Sequence, residues 1–240
     1  MLTENKFSKY LIYAIGEIVL VVIGILIALS INNWYENRRA KNLAQENYLN
    51  LLTSLVQDSI TVNKTIERNT IGLDALRKII PLEKNEELLE LTEENLNEYL
   101  MLYSNTGRSF IPKSGVYNLL TSNNGFDLIK SNKIKSLLIN LYDYQYKAYE
   151  DLDSQIDNKY HNQLGSIMRK KIGIVIEYTP ELSFIQSTTP ELFEKHYSEL
   201  ASESRDIFGM LSFNKNNLIQ IELSINELIS LIKDEIENQN

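Results

Sequence analysis

The longest apolar stretch of the chain runs from Leu11 to Ile31. It holds 21 residues and one charge, Glu17. At about 1.5 Å per residue, a helix of this length measures about 31 Å, the thickness of a bilayer's hydrocarbon core. Basic and aromatic residues flank both ends, as at membrane interfaces. These flanking residues are Lys6, Lys9, Tyr10, Tyr13, Trp34, Tyr35, Arg38, Arg39 and Lys41. The pattern predicts a transmembrane helix.

A cleaved signal peptide is the alternative interpretation of the same stretch. Lys6 and Lys9 would be its basic start, residues 18–29 its apolar core, and Ala28 and Ser30 its small residues at the cleavage site. Three features favour a retained anchor instead. The apolar run is long, no polar segment precedes Ser30, and the helical pattern continues beyond it.

Apolar residues continue at helical spacing from Tyr48 to Ile80. They are separated by threes and fours or by sums of these, with polar residues in some gaps. No proline lies between Trp34 and Ile80, and Pro81 would end a helix. We therefore expect one long helix over about 35–80, continuous with the span. Its apolar positions are Tyr48, Leu52, Leu55, Val62, Ile66, Leu73, Leu76 and Ile80.

The same spacing predicts two more long helices, over about 131–172 and 214–237. The expected apolar positions of the first are Ile134, Leu138, Leu141, Ala148, Leu152, Ile156, Leu164 and Ile167. Polar caps indicate where helices start. The caps we expect are Thr92, Ser131, Thr179 and Thr189. The shorter expected elements are helices to about residue 104, over 115–121 and over 190–210, a helical turn over 126–130, and loops over 82–91 and 105–114.

Glycine and proline are scarce, with 9 and 4 residues, which disfavours sheet folds because these need frequent turns. We expect an all-α fold, in which an N-terminal transmembrane helix is followed by an elongated antiparallel helical bundle. The expected division is an N-terminal tail and anchor over 1–34 and a bundle domain over 35–240.

Charge and composition exclude several classes of function. Residues 1–41 carry a net charge of +2 and the remainder −10, in agreement with the total of −8. An acidic bulk argues against nucleic-acid binding. The chain has no cysteine, which excludes disulfides and thiolate metal sites.

No recognised catalytic, nucleotide-binding or metal-binding motif occurs in the sequence. The two histidines, His161 and His196, have no metal-ligand spacing. We therefore expect no enzymatic activity, no cofactor, no metal and no small-molecule substrate.

Glu17 is the unusual residue of the span. It shares one helical side with Gly24 and Ala28, and such small residues let two helices approach closely in lipid. A charge facing acyl chains is costly. Glu17 could therefore face a partner helix, reach toward the headgroups or belong to an ion pathway. We favour the packing face formed by Glu17, Gly24 and Ala28.

Two further segments are candidates for contacts. The loop 107–114 carries Arg108, Phe110 and Lys113, which could take an anion or a partner, although a plain connection is the commoner role of such a loop. The tyrosine-rich segment 142–149 could form an aromatic surface. We favour half-buried packing there.

The segment KYLIYAIGEIVLVVIGILIALSINNWYENRR, residues 9–39, closely resembles the N-terminus of an uncharacterised family of short single-pass membrane proteins common in Bacteroidota. Its members typically read KYxxYAIGEIxLVVIGILIALxINNWNExR, and the main departure here is Tyr35. A later segment, SGVYNLLTSNNGFDLIKSNKIKSLLINLY, is similar in pattern only. The resemblance implies a membrane anchor and no known activity.

The leading hypothesis is a membrane-anchored interaction, scaffold or sensor-like module. The alternative is an accessory subunit of an ion-driven membrane complex that uses Glu17. Expected partners are the lipid bilayer and a second copy or another membrane protein. We expect the protein in the bacterial inner membrane. The short N-terminal tail and large acidic remainder favour an N-terminus inside, with the C-terminal domain in the periplasm.

Overall fold

The first helix, α1, dominates the architecture of the computed structural model, which describes residues 4–81, 90–104, 106, 108–176 and 185–239. It runs unbroken from Glu4 to Ile79. The expected helix over 35–80 and its continuity with the apolar stretch are therefore confirmed. Because one helix crosses residue 34, the division of the chain there into two domains stays a prediction.

Two halves of α1 have different surroundings. From Tyr10 to Leu43 nearly every described side chain is exposed. From Ala44 to Ile79 the buried side follows a seven-residue repeat, which is the period of helices that wind around each other. The repeat forms two rows of residues. The first row is Ala44, Leu51, Asp58, Thr65, Gly72 and Ile79, and the second row is Tyr48, Leu55, Val62, Asn69 and Leu76. Packing against the bundle thus begins only at Ala44.

Four other helices and a short strand pair complete the described fold. They are α2 (Glu93–Ser104), α3 (Gly115–Ser122), a 3₁₀ turn (Gly125–Leu128), α4 (132–172), β1 (Val175–Ile176), β2 (Ile185–Gln186) and α5 (Pro190–Gln239). Along the bundle, α1 and α4 run away from the N-terminal segment, whereas α2 and α5 return toward it. The all-α class is confirmed. The two-residue antiparallel pair of β1 and β2 was not predicted.

The expected break between helices 190–210 and 214–237 does not exist, because α5 is continuous from Pro190 to Gln239. Gly209 and the polar residues after it do not interrupt the helix. Asn214 is buried within it, 1% exposed, and its side-chain amide donates to Asp153 Oδ1 at 3.2 Å. A tertiary hydrogen bond therefore accommodates the polar residue that marked the expected boundary.

Helix α4 contains three π-helical turns that the apolar spacing did not predict. They are Asn140–Gln145, Tyr160–Leu164 and Met168–Ile172. A π turn accommodates an extra residue and so shifts the buried face of the following helix. Ala148 was expected in the core and is exposed, whereas Tyr146 and Tyr149 are buried.

The core has two parts along the bundle. The part nearer the apolar segment joins the first half of the bundle segment of α1 to α3, the start of α4 and the end of α5. The farther part joins the end of α1 to α2, the end of α4 and the start of α5. At this farther end α1 and α2 approach closely. A Cβ on Gly72 would clash with the methyl group of Thr106 and lie 3.0 Å from the carbonyl oxygen of Leu102, so a larger residue there would force these groups to move.

The expected helix caps form where the structure describes them. The amide of Thr92 donates to Asn95 Oδ1 at 2.8 Å, and the amide of Asn95 donates back to Thr92 Oγ1 at 3.3 Å. Ser131 accepts from the amide of Ile134, and Thr189 accepts from that of Leu192, both at 3.3 Å. Thr179 and most of the expected 82–91 loop lie outside the described residues.

Candidate functional site

The face of α1 that carries Glu17, Gly24 and Ala28 is open. All three residues are exposed, and a Cβ added to Gly24 would have nothing within 4 Å. The buried fraction of the most apolar part of α1 is 0%. Among the described residues, one helix, α1, is long enough and apolar enough to cross a membrane, judged by length and composition.

The exposed side of α1 stays partly apolar after it enters the bundle. Leu49 is 47% exposed, Val56 is 38% exposed and Ile60 is 52% exposed. They follow each other at spacings of seven and four, which places them on one side of a helix. We call Leu49, Thr53, Val56 and Ile60 the outer stripe. It faces away from the other helices of the same chain.

Beyond the outer stripe, an open cleft of about 420 Å³ lies between α1 and the end of α2. Charged side chains from α1 line it, together with the candidate Arg108 from the following loop. The lining residues are Lys64, Glu67, Arg68, Ile71, Leu102 and Arg108. Arg108 therefore lies beside basic residues that the sequence pattern alone did not bring together with it.

The candidate loop residues do not form one surface. Phe110 is only 2% exposed and contacts the rings of Tyr146 and Tyr149 edge-on, at centroid distances of 5.7 and 5.8 Å. Its expected role as a partner contact is therefore corrected, because a buried ring is not accessible to a partner. Lys113 is exposed, and the use of Arg108 and Lys113 by a partner stays a prediction.

The loop is held on α1 by a buried carboxylate, Asp58. Both of its oxygens accept from the amide of Lys113, at 3.1 and 3.2 Å. The hydroxyl of Tyr146 donates to its Oδ2 at 2.9 Å. One turn earlier, Ser54 donates to the carbonyl of Lys113 at 3.0 Å. These bonds fix the end of the loop against the side of α1 that faces the bundle.

Burial sets the electrostatics of this region. Desolvation raises the pKa of Asp58, and the hydrogen bonds from Tyr146 and from the amide of Lys113 oppose that rise only in part. Burial and the nearby Asp58 also raise the pKa of Tyr142 and Tyr146. Tyr146 therefore keeps its hydroxyl proton and donates it to Asp58, and the arrangement serves to anchor the loop.

A second acid, half-buried, lies farther along α4. Asp153 accepts from the hydroxyl of Tyr149 at 2.9 Å and from the amide of Asn214 at 3.2 Å. The Tyr149 hydroxyl accepts in turn from the amide of Phe110 at 2.9 Å. Desolvation raises the pKa of Asp153. Together these bonds connect the loop, α4 and α5.

The tyrosine-rich segment is mostly interior. Tyr142 stacks on Tyr117 with ring centroids 4.4 Å apart, and Tyr146 and Tyr149 are buried. Tyr144 is 69% exposed. The packing interpretation is therefore confirmed for three of the tyrosines, and they do not form an aromatic binding surface.

The histidines lie apart from these acids. His161 contacts Asp157 Oδ1 at 3.1 Å on the surface of α4. Among the described residues, no group of three or more histidine, aspartate or glutamate side chains is arranged to hold a metal ion.

Sequence reasoning missed Asp58, although a signal was present. Asp58 lies seven residues after Leu51 and seven before Thr65, inside the row of α1 that faces the bundle. A carboxylate at an apolar position of a helical repeat indicates a buried polar contact. Its hydrogen-bond partners are Lys113 and Tyr146, and sequence spacing does not reveal contacts between residues so far apart in the chain.

The fold and the open apolar segment define a class, that of all-α proteins in which one helix of membrane-spanning length continues into a bundle. Comparison with family models matches residues 17–177 to a family of unknown function, DUF6090. This match covers more than half of the chain, and the protein belongs to that family. Neither the curated proteins nor the solved structures gave a match.

Proposed function

We propose that the protein is a single-pass, membrane-anchored helical module that self-associates along α1. In this proposal the apolar segment is retained in the bacterial inner membrane and the bundle lies in the periplasm. The observation that supports this proposal most directly is that one side of α1 is open along both its apolar segment and its bundle segment. Such a module would act as a scaffold or transmit a change across the membrane.

The open side is continuous because residues eighteen apart on a helix are separated by five complete turns. Glu17, Tyr35 and Thr53 therefore lie on one line along α1. Gly24 and Ile60 lie thirty-six residues apart on a neighbouring line. The small residues of the apolar segment and the outer stripe thus share one side of the same helix. A second helix lying along α1 would contact both.

The occupant of this side is a second copy of the chain. Copies anchored in one bilayer have the same orientation, so their α1 helices are parallel and present the same face to each other. In a parallel two-fold pair, Lys64 on one edge of the face lies opposite Glu67 on the other edge of the second copy. Opposite charges that flank an apolar seam favour pairing in register. A different membrane protein on this face is an outcome of the test below.

Disulfide cross-linking in native membranes tests the proposal directly, since the chain has no cysteine of its own. Ala28→Cys and Thr53→Cys report on the open side within and beyond the apolar segment. Ile25→Cys and Thr61→Cys are the matched controls, because they lie thirty-six residues apart on one line, about 80° from the line through Glu17 and Thr53 at 100° per residue. Each variant is oxidised in membranes that also contain a differently tagged copy.

The expected result is a dimer of the two differently tagged chains at positions 28 and 53, with little at 25 and 61. Cross-linking at 28 alone would confine self-association to the apolar segment and contradict the role of the outer stripe. A product of a different mass would assign the face to another protein. Equal cross-linking at all four positions, or none, would contradict the proposal.

The variant Glu17→Gln addresses the ion-driven alternative. It preserves the shape and hydrogen-bonding capacity of the side chain and removes its titration. Under the self-association proposal, cross-linking at Ala28→Cys persists in this variant. A loss of the cellular function with cross-linking intact would instead favour proton exchange at Glu17.

A further inference from the structure

A cavity of about 480 Å³ opens where α1 leaves the bundle toward its apolar segment. One wall is the side of α1 that carries Asn37, Ala40 and Lys41. The segment around the 3₁₀ turn and the end of α5 form the other walls. The cavity is therefore assembled from three parts of the chain at the end of the bundle nearest to the span.

Two cations and two anions line this cavity. They are Lys41 and Lys130, and Asp127 and Glu235. Among the described residues, no ion pair within 4.0 Å joins any of these four side chains to another. At the same end of the bundle Lys133 and Glu227 do pair, at 2.7 Å. The four charges around the cavity thus surround a space without neutralising each other.

The position of the cavity indicates its ligand. Ala40 follows Trp34 by six residues, a rise of about 9 Å along α1. The polar headgroup layer of a bilayer is about 5–7 Å thick on each side. With Trp34 at the interface, the lysine side chains of the cavity reach back into that layer.

We propose that this cavity binds the headgroup of a phospholipid that carries both a phosphate and a primary amine. Lys41 and Lys130 contact the phosphate, and charge-assisted hydrogen bonds to oxygen anions are the strong ones. Asp127 and Glu235 accept from the ammonium group. The inference rests on the proposed membrane anchoring, and it adds a lipid-binding site at the junction of span and bundle.

The test uses the full-length protein in mild detergent and native mass spectrometry, with phosphatidylethanolamine and phosphatidylglycerol of matched acyl chains. The double variant Lys41→Ala/Lys130→Ala removes both cations. Lys170→Ala/Lys195→Ala is the control of equal charge, on exposed positions at the far end of the bundle. Circular dichroism of each variant verifies the fold, and alkaline extraction of membranes verifies anchoring.

The wild type and the control should retain phosphatidylethanolamine at least tenfold more strongly than the double variant, and more strongly than phosphatidylglycerol. Equal retention by the double variant, or a preference for phosphatidylglycerol, would overturn the assignment. Alkaline extraction separates this failure from that of the proposed function. Release of the wild-type chain would refute the anchor itself, whereas a retained chain without lipid preference would refute only the site.

Discussion

Two acids on the same helix, Glu17 and Asp58, show how differently the two halves of α1 are surrounded. Glu17 is exposed, and the described part of the chain supplies it with no partner. Asp58 is fully buried and accepts hydrogen bonds from Lys113 and Tyr146. A buried carboxylate is tolerated only with such partners. The bundle therefore covers one half of α1 and leaves the other half open among the described residues.

The largest expected effect contrasts an apolar residue in each half. Leu55 is fully buried and Leu20 is exposed. Leu55→Ala should lower the free energy of unfolding of the bundle by about 2–5 kcal/mol, since it removes buried methyl groups and leaves a cavity. Leu20→Ala should leave that free energy unchanged. Denaturant titration of both variants in detergent measures these free energies. Equal losses of unfolding free energy in the two variants would contradict the difference between the two halves of α1.

The contrast also explains what the sequence could and could not predict. Helix starts at Thr92, Ser131 and Thr189 are local features, and all three caps form. The burial of Tyr149 in place of Ala148 depends on π turns, which tertiary packing selects and residue spacing does not encode.

For the candidate site residues too, the sequence predicted the positions that depend on local helical spacing and not those that depend on tertiary contacts. The exposed side of Gly24 and Ala28 follows from helical spacing alone. Phe110 was expected at the surface because it lies in a loop with two basic residues, yet its position depends on rings more than thirty residues away. The continuity of α5 through Asn214 likewise depends on a contact with Asp153.

A smaller effect is expected at a tyrosine hydroxyl inside the bundle. Tyr149→Phe removes the group that donates to Asp153 and accepts from the amide of Phe110. Leaving the buried amide of Phe110 without its acceptor should cost about 1–3 kcal/mol of unfolding free energy. Tyr144→Phe, at an exposed position, should change it by less than about 0.5 kcal/mol. Thermal or denaturant unfolding would show this, and a neutral Tyr149→Phe would contradict the network.

The smallest expected effect is a pH dependence at Asp58. Burial raises its pKa in the folded state, so the folded chain holds the proton to higher pH than the unfolded chain. The free energy of unfolding therefore falls as pH rises through this window, which begins at about 4. The groups that face Asp58 are Tyr142, Tyr146 and Lys113, and they are common to the wild type and the variant.

Asp58→Asn has no proton to lose and retains an acceptor oxygen. Its unfolding free energy minus that of the wild type should increase between about pH 4 and pH 7. Denaturant midpoints of both chains across this range measure the difference. A difference that stays flat or decreases would show that burial does not raise the pKa of this carboxyl.

The central claim is that the two halves of α1 present one continuous face to a second copy. A register test addresses it most directly, by inserting residues between Tyr35 and Glu36, where α1 is exposed on all sides. Two alanines rotate the outer stripe by about 200° relative to the apolar segment, whereas seven residues restore its direction to within about 20°. Cross-linking is then measured at Ala28→Cys and Thr53→Cys.

Cross-linking at position 53 should be lost with two inserted residues and return with seven, while cross-linking at position 28 should persist throughout. Cross-linking at position 53 that is indifferent to the two-residue insertion would contradict a shared face along α1.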